Sequence, residues 1–347
     1  MPVSASVTAG LQRLLGAAGV VLTPEGRLTY ESDMLTLYKA APDAVVLPTS
    51  TAQVQAIVRL CREARVPIVP RGSGTGLIGG ATAPQGGVMV SMTRMTQILE
   101  LDLANRCATV QPGLINLWLT NAVRDRGWFF APDPSSQMVS SIGGNVATNA
   151  GGPHCLKYGI TTNHVLGLEI VTGTGDVVSV GGKAADRPGY DLTGTIVGNE
   201  GTFGLVTAIT VRLLHAPEAV KTALASFASL VEASEAVSAI IAAGIIPAAL
   251  EMLDDAMIGA VNAAVGKVYP DGAGAVLLIE LDGPRAEVEA QAGEHRRRRH
   301  RHCATPTCPP AASDATDETL RRTPDATAAA SRDSSGRRDR TRGATET

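Results

Sequence analysis

The sequence predicts an α+β fold, and three observations carry that expectation. Short strands rich in Val and Ile are interleaved with amphipathic helical stretches over roughly the first 215 residues. Their order is mixed rather than strictly alternating, which argues against a doubly wound sheet. After His215-Ala216-Pro217 the pattern restarts as β-α-β-α-β, the run typical of a small ferredoxin-like layer.

In chain order, Ala5 to Ala18 reads as an amphipathic helix, and Ala44 to Leu47 as a strand stopped by Pro48. Ser50 is a good N-cap for a helix from Thr51 to about Ala64, with Val54, Ile57, Val58 and Cys61 on one face. Val66 to Pro70, Val88 to Val90, Ile98 to Leu103 and Cys107 to Val110 read as short strands. Leu114 to Arg126 reads as a helix, and Val165 to Val171 and Gly204 to Leu213 as β-branched strands. Beyond Pro217 the elements are Ala223 to Phe227, Leu230 to Ala243, Ala248 to Leu253, Ala256 to Val265 and Ala275 to Leu281.

Bulk properties narrow the function. The 347 residues suffice for two domains, and aromatic residues make up only 3%, so Val, Ile, Leu and Ala must build the core. A formal charge of −3 gives no reason to expect a nucleic-acid partner. Five scattered cysteines suit a reducing cytoplasm better than a disulfide framework. The N-terminus lacks a basic start followed by an apolar core, and no uninterrupted apolar run reaches the roughly 18 residues of a membrane span.

Three glycine-rich clusters stand out. The first, Arg71-Gly72-Ser73-Gly74-Thr75-Gly76-Leu77-Ile78-Gly79-Gly80, follows an apolar strand. Gly74, Gly76 and Gly79 match G-x-G-x-x-G, but a dinucleotide fold needs a helix on the third glycine. Here turn residues follow, then a second strand. Two readings stay open: a backbone nest for an anion, and a flexible hairpin loop. The second cluster, Ala131 to Gly159, holds two glycine pairs, Gly143-Gly144 and Gly151-Gly152, around Asn145-Val146-Ala147-Thr148-Asn149-Ala150. Side chains of Asn145, Thr148 and Asn149 suit either a ligand or turn capping. The third, Gly198-Asn199-Glu200-Gly201-Thr202-Phe203-Gly204, leads into a strand. Three backbone-rich loops in one domain suit a long, thin, polyphosphate-bearing ligand.

"PRGSGTGLIGG", "PDPSSQMVSSIGGNVATNAGG" and "GNEGTFGLVT" together resemble the signatures of the FAD-linked oxidases of the vanillyl-alcohol oxidase (PCMH) type, in the branch of the glycolate oxidase D subunit and the D-lactate and D-2-hydroxyglutarate dehydrogenases. The resemblance covers roughly residues 5 to 290. It implies an N-terminal helical segment (1–40), a two-lobed PCMH-type FAD-binding domain (41–216) and a partial ferredoxin-like substrate cap (217–292). It implies that Arg71, Gly72, Ser73, Gly74, Thr75, Gly76 and Leu77 offer backbone N–H groups to the FAD pyrophosphate. Pro132, Asp133, Ser140, Gly143, Gly144, Asn145 and Thr148 would line the pyrophosphate and isoalloxazine, with Glu200, Gly201 and Val206 toward the ribityl and adenine end. With no His in the first loop, FAD is expected to be non-covalent. His154 reads equally as flavin-facing and as a plain loop histidine.

The implied activity is oxidation of a small 2-hydroxy acid, glycolate or D-lactate, to the 2-oxo acid. The implied partners are a second flavin subunit and an iron–sulfur subunit; no cluster-ligating cysteine pattern occurs in this sequence. One departure is plain. The family's His-x-Gly-Asp-Gly-Asn motif is absent, so its catalytic residues have no position to be carried to. Residues 293–347 are rich in Arg, lack Lys, Val, Ile, Met and aromatics, and are expected to be a disordered tail of out-of-frame origin. A basic nucleic-acid tail is disfavoured by its interspersed acids, and Cys303 and Cys308 lack a second ligand pair for zinc. The alternative to an active oxidase is therefore a truncated flavin-binding fragment.

Overall fold

The computed structural model describes residues 3–184, 189–270 and 272–292. The Arg-rich tail, with Cys303 and Cys308, lies outside them. The described chain forms two lobes followed by a third, smaller α+β layer.

Local signals place the first lobe. Helix Thr51–Glu63 starts where Ser50 Oγ accepts the Gln53 N–H, and Val54, Ile57, Val58 and Cys61 bury its inner face. It packs on strands Ala44–Val46, Val88–Ser91 and Ile68–Arg71, which run parallel with 88–91 in the middle. Val20–Val21 pairs antiparallel with Val45 and Val46, and Val7 and Leu11 of helix Ala5–Leu15 enter the same core. The parallel pairing of 68–71 with 88–91 overturns the hairpin reading of the first glycine cluster, because a hairpin joins antiparallel strands. No helix occurs between Arg71 and Val88, so a Rossmann turn is excluded as well.

The second lobe is an antiparallel sheet in the spatial order Ile98–Asp102, Cys107–Val110, Gly204–Arg212, Val165–Thr172, Val177–Gly181. Every second residue of the central strand is buried, as a one-sided sheet requires. Ile209 lies opposite both Val110 and Leu168. Helix Asn116–Val123 is shorter than the sequence suggests. It tightens to a 3-10 turn at Arg124–Arg126 and stops at Gly127, with φ +75.

One expectation needs correction. The segment around Gly143-Gly144 is a helix, Ile142–Thr148, not a loop. Ser141 Oγ caps it by accepting the Gly144 N–H, and Ile142 and Val146 are buried. Its glycines serve close approach rather than flexibility. A Cβ on Gly143 would lie 2.8 Å from the Pro112 carbonyl oxygen and 2.5 Å from Pro112 Cβ.

The third layer holds strands Ala219–Phe227, Ala249–Asp254 and Ala275–Gly283 with helices Leu230–Ala242 and Asp255–Val265. The first strand begins at Ala219, before the expected Ala223. The last strand lies in the middle, antiparallel to both others. A helix thus joins two strands that a third separates, the split β-α-β of a ferredoxin-like layer. Leu277, Ile279 and Leu281 pack on Ile240, Ile245 and Val288.

Ile209 has no exposed surface and touches both neighbouring strands. Ile209→Ala is expected to destabilise the protein by about 2–5 kcal/mol, read as a lower urea midpoint. Val231→Ala, at a site 67% exposed, serves as the control and should change stability by less than about 0.5 kcal/mol.

Candidate functional site

Where the two lobes meet, the three glycine clusters come together around one groove. Two adjoining cavities share Pro70, Gly72, Gly144, Ala147 and Glu200 in their walls. The first cluster forms one wall. Gly74 and Gly79 adopt left-handed φ values of +74 and +77, which bend the segment back on itself. No backbone N–H from Ser73 to Ile78 has a partner among the described residues.

Two side chains hold this wall from behind. Asp33, 6% exposed, accepts the Gly79 N–H at 2.8 Å on Oδ2 and the Leu35 N–H at 2.9 Å on Oδ1. The Arg71 guanidinium donates to the Ala81 carbonyl at 3.1 Å and lies 5.6 Å over the Tyr30 ring. Burial draws Arg71 below its ordinary pKa, and Asp33 and Tyr30 oppose that shift. Among the described residues Arg71 is the only basic one in the walls, and this bond turns it inward. Negative charge on a ligand would therefore meet backbone dipoles and the hydroxyls of Ser73, Thr75, Ser136 and Ser141.

Most of the residues expected at the site line the groove: Arg71, Gly72, Ser73, Gly74, Thr75, Gly76, Gly143, Gly144, Asn145, Thr148, Glu200, Gly201 and Val206. Leu77, Pro132, Asp133 and Ser140 do not. Leu77 stands 64% exposed outside the cavities. The Pro132 carbonyl accepts from Asn116 Nδ2 at 2.9 Å, which also donates to Asn145 Oδ1 at 3.1 Å. Asn145 Nδ2 in turn donates to the buried Ser140 hydroxyl at 3.3 Å. Asp133 is held by His154, whose Nδ1 lies 2.5 Å from Oδ2. That answers the question left open for His154: its ring nitrogens engage Asp133 and Glu280.

Several polar side chains in the second cluster are spent inside the fold. Thr148 Oγ1 donates to the Gly144 carbonyl, and Asn149, left-handed at φ +47, accepts the Thr162 N–H. In the third cluster Glu200 also holds a left-handed φ of +55, costly for a residue with a Cβ. Sequence reasoning missed Asp33, Ser136 and Asn199. Asn199 Oδ1 accepts the Gly201 N–H at 2.7 Å, while its Nδ2 is buried with no partner. An orphaned donor in the wall of a groove marks a place for a ligand acceptor.

Two lobes meeting at a groove walled by free backbone amides, with a split β-α-β layer beside them, define a flavin-linked oxidase fold. Residues 42–181 match the FAD binding domain family, and residues 216–338 match the C-terminal domain of the FAD linked oxidases. The second match runs past residue 293, into the segment whose composition suggested an out-of-frame origin. Glycolate oxidase subunit GlcD of Bacillus subtilis (strain 168) is 49% identical over 265 residues, covering 76% of this chain and 56% of that protein. GlcD of Escherichia coli (strain K12) is 45% identical over 284 residues, covering 82% and 57%. D-lactate dehydrogenase of Anaerostipes hadrus is 35% identical over 266 residues, covering 74% and 56%. Solved structures of alkyldihydroxyacetonephosphate synthase (TM-score 0.76, 22% identity, covering 87% of this chain and 64% of that one) and substrate-bound p-cresol methylhydroxylase (0.71, 19%, 84% and 64%) share the fold. The chain belongs to the FAD-linked oxidase family, whose cofactor is FAD. It spans little more than half the length of the curated relatives it matches.

The residues present fit that cofactor, since a pyrophosphate and a heterocycle both need hydrogen-bond donors, and the free amides of Ser73 to Ile78 and the unpaired Asn199 Nδ2 offer them to the groove. Asp33→Ala removes both acceptors that hold the wall. It is expected to raise amide exchange at Gly79 and Leu35 by at least tenfold, measured by hydrogen exchange, with little change in strand Gly204–Arg212.

Proposed function

We propose that this chain binds FAD non-covalently in the groove and oxidises a small 2-hydroxy acid, glycolate or D-lactate, to the 2-oxo acid. The observation that carries the proposal is the run of unpartnered N–H groups from Ser73 to Ile78 on a groove lined by all three glycine clusters. The relatives named glycolate oxidase subunit and D-lactate dehydrogenase support the substrate class.

In this reading the flavin, when bound, accepts the hydride from the substrate carbon. The chain's own residues bind and position that cofactor. Backbone N–H groups of Gly72 to Leu77 bind the pyrophosphate, with Arg71 fixing the loop behind them. Gly143, Gly144, Asn145 and Thr148 shape the facing wall, and Glu200, Gly201 and Val206 close the far end with Asn199. Pro132, Asp133 and Ser140 act through the segment they hold, because their polar groups are occupied by neighbours. Two of the relatives are named as subunits of glycolate oxidase; in this reading the partners are the second flavin subunit and the iron–sulfur subunit that the family resemblance implies.

A second reading has its own support. The His-x-Gly-Asp-Gly-Asn sequence is absent, and the chain spans 56–57% of these relatives. A flavin-binding chain that does not turn over substrate follows if those missing groups are required.

Gly76 separates cofactor binding from folding. A Cβ there meets nothing nearer than Asp33 Oδ2 at 3.6 Å, so Gly76→Leu fits the fold and fills the groove. The wild-type chain is expected to show flavin absorbance at about one FAD per chain, and Gly76→Leu to weaken FAD at least tenfold with an unchanged urea midpoint. Anaerobic glycolate or D-lactate bleaches the flavin if the first reading holds and leaves it oxidised if the second does. Equal FAD affinity in both proteins would contradict the placement.

A further inference from the structure

The seam between the second lobe and the three-stranded layer carries a charge cluster that takes no part in the groove. His154 starts the short helix Cys155–Tyr158 as its cap residue. Across the seam, the middle strand Ala275–Gly283 presents Glu280 and Asp282. His154 Nδ1 lies 2.5 Å from Asp133 Oδ2, and Nε2 lies 2.8 Å from Glu280 Oε1. Lys157 Nζ bonds both the carboxylate and the carbonyl of Asp282. The other Asp282 oxygen accepts from the Tyr158 hydroxyl at 2.5 Å.

A ring with a carboxylate at each nitrogen constrains its own protonation. Neutral imidazole has one N–H, so it can donate to only one of the two acids. The other nitrogen would turn a lone pair toward a carboxylate oxygen. The imidazolium donates to both. The charge count agrees: Asp133, Glu280 and Asp282 face only Lys157 if His154 is neutral, leaving an excess of two negative charges in a half-buried seam. The Asp282 side chain is only 5% exposed, which makes that excess costly.

We propose that His154 is a positioning residue which, as an imidazolium, docks the middle strand of the three-stranded layer onto the segment carrying Asp133, and that loss of its proton releases this dock. Asp133 lies three residues before Ser136, which lines the groove, so the dock also registers one groove wall against the adjoining layer. Gly152 keeps that contact tight, since a Cβ there would fall on the Asp133 carbonyl. The inference rests on the seam alone and not on the proposed cofactor or substrate.

The groups that face His154 are Asp133 from the preceding segment, Glu280 from the strand, and Tyr158 and Lys157 from its own helix, with Asp282 behind them. Hydrogen bonds to Asp133 and Glu280 push its pKa up to about 10, against the opposing effect of burial. A raised folded-state value means the dock contributes fully below the unfolded value of about 6.5 and is lost as pH rises through about 10. Burial and Asp282 push the Tyr158 phenol up, so its O–H keeps donating over the same range.

The test is nitrogen-15 NMR of the histidine rings in the full chain, paired with amide exchange corrected for base catalysis. Of six histidines, one is expected to keep both ring protons at pH 8.5, and its signal should vanish in His154→Gln. Asp133→Asn and Glu280→Gln should each lower its pKa by at least one unit, a tenfold loss of proton affinity. Protection of residues 276–281 should fall at least tenfold between pH 7 and pH 10.5 in wild type and stay flat in His154→Gln, while strand Gly204–Arg212 stays protected in both. A His154 ring that titrates near 6.5, or protection of 276–281 that ignores pH in wild type, would overturn the proposal.

Discussion

The structure depends on how closely its backbones approach where the two lobes meet. Gly143 lies against Pro112, Gly72 against Ser141 and Gly144, and Gly201 against Pro70, each at a distance that a Cβ would violate. Among the described residues the groove walls hold no basic side chain besides Arg71. A wall of glycine backbone offers N–H dipoles in place of side-chain charge, and the one basic residue, Arg71, is used to hold the loop's shape. The amides of Ser73 to Ile78, unpaired among the described residues, are donors that water or a ligand's oxygens can satisfy.

Much of this was legible in the sequence because its causes are local. Ser50 announces a helix, β-branched runs announce the central strands, and the three glycine clusters mark the groove. The helix Ile142–Thr148 was not legible, because its glycines and asparagines carry the composition of a loop. Only the contact with Pro112, some thirty residues earlier, explains them. Asp33 and Ser136 gave no signal either, since their roles depend on partners brought in by the fold. Asn199 sat inside a recognised cluster, yet its orphaned Nδ2 appears only when burial is known.

The same limit applies more strongly to the seam. His154 and Glu280 are 126 residues apart in sequence, and nothing near either one points to the other. Their pairing, with Lys157 and Tyr158 on Asp282, ties the third layer to the segment that leads into the groove. The layer itself is a split β-α-β unit, and its position over the lobes is fixed by this polar contact as well as by packing. Groove and seam thus divide the work: backbone dipoles bind along the groove, and charged side chains hold the layer beside it.

The most direct test follows the amides of Ser73 to Ile78 by NMR while FAD, and separately ADP as a diphosphate without the flavin ring, is added. Both ligands are expected to shift these amide protons downfield, because each amide gains an anionic acceptor, while strand Cys107–Val110 stays unchanged. Shifts confined to other residues, with Ser73 to Ile78 unmoved by saturating FAD, would contradict it.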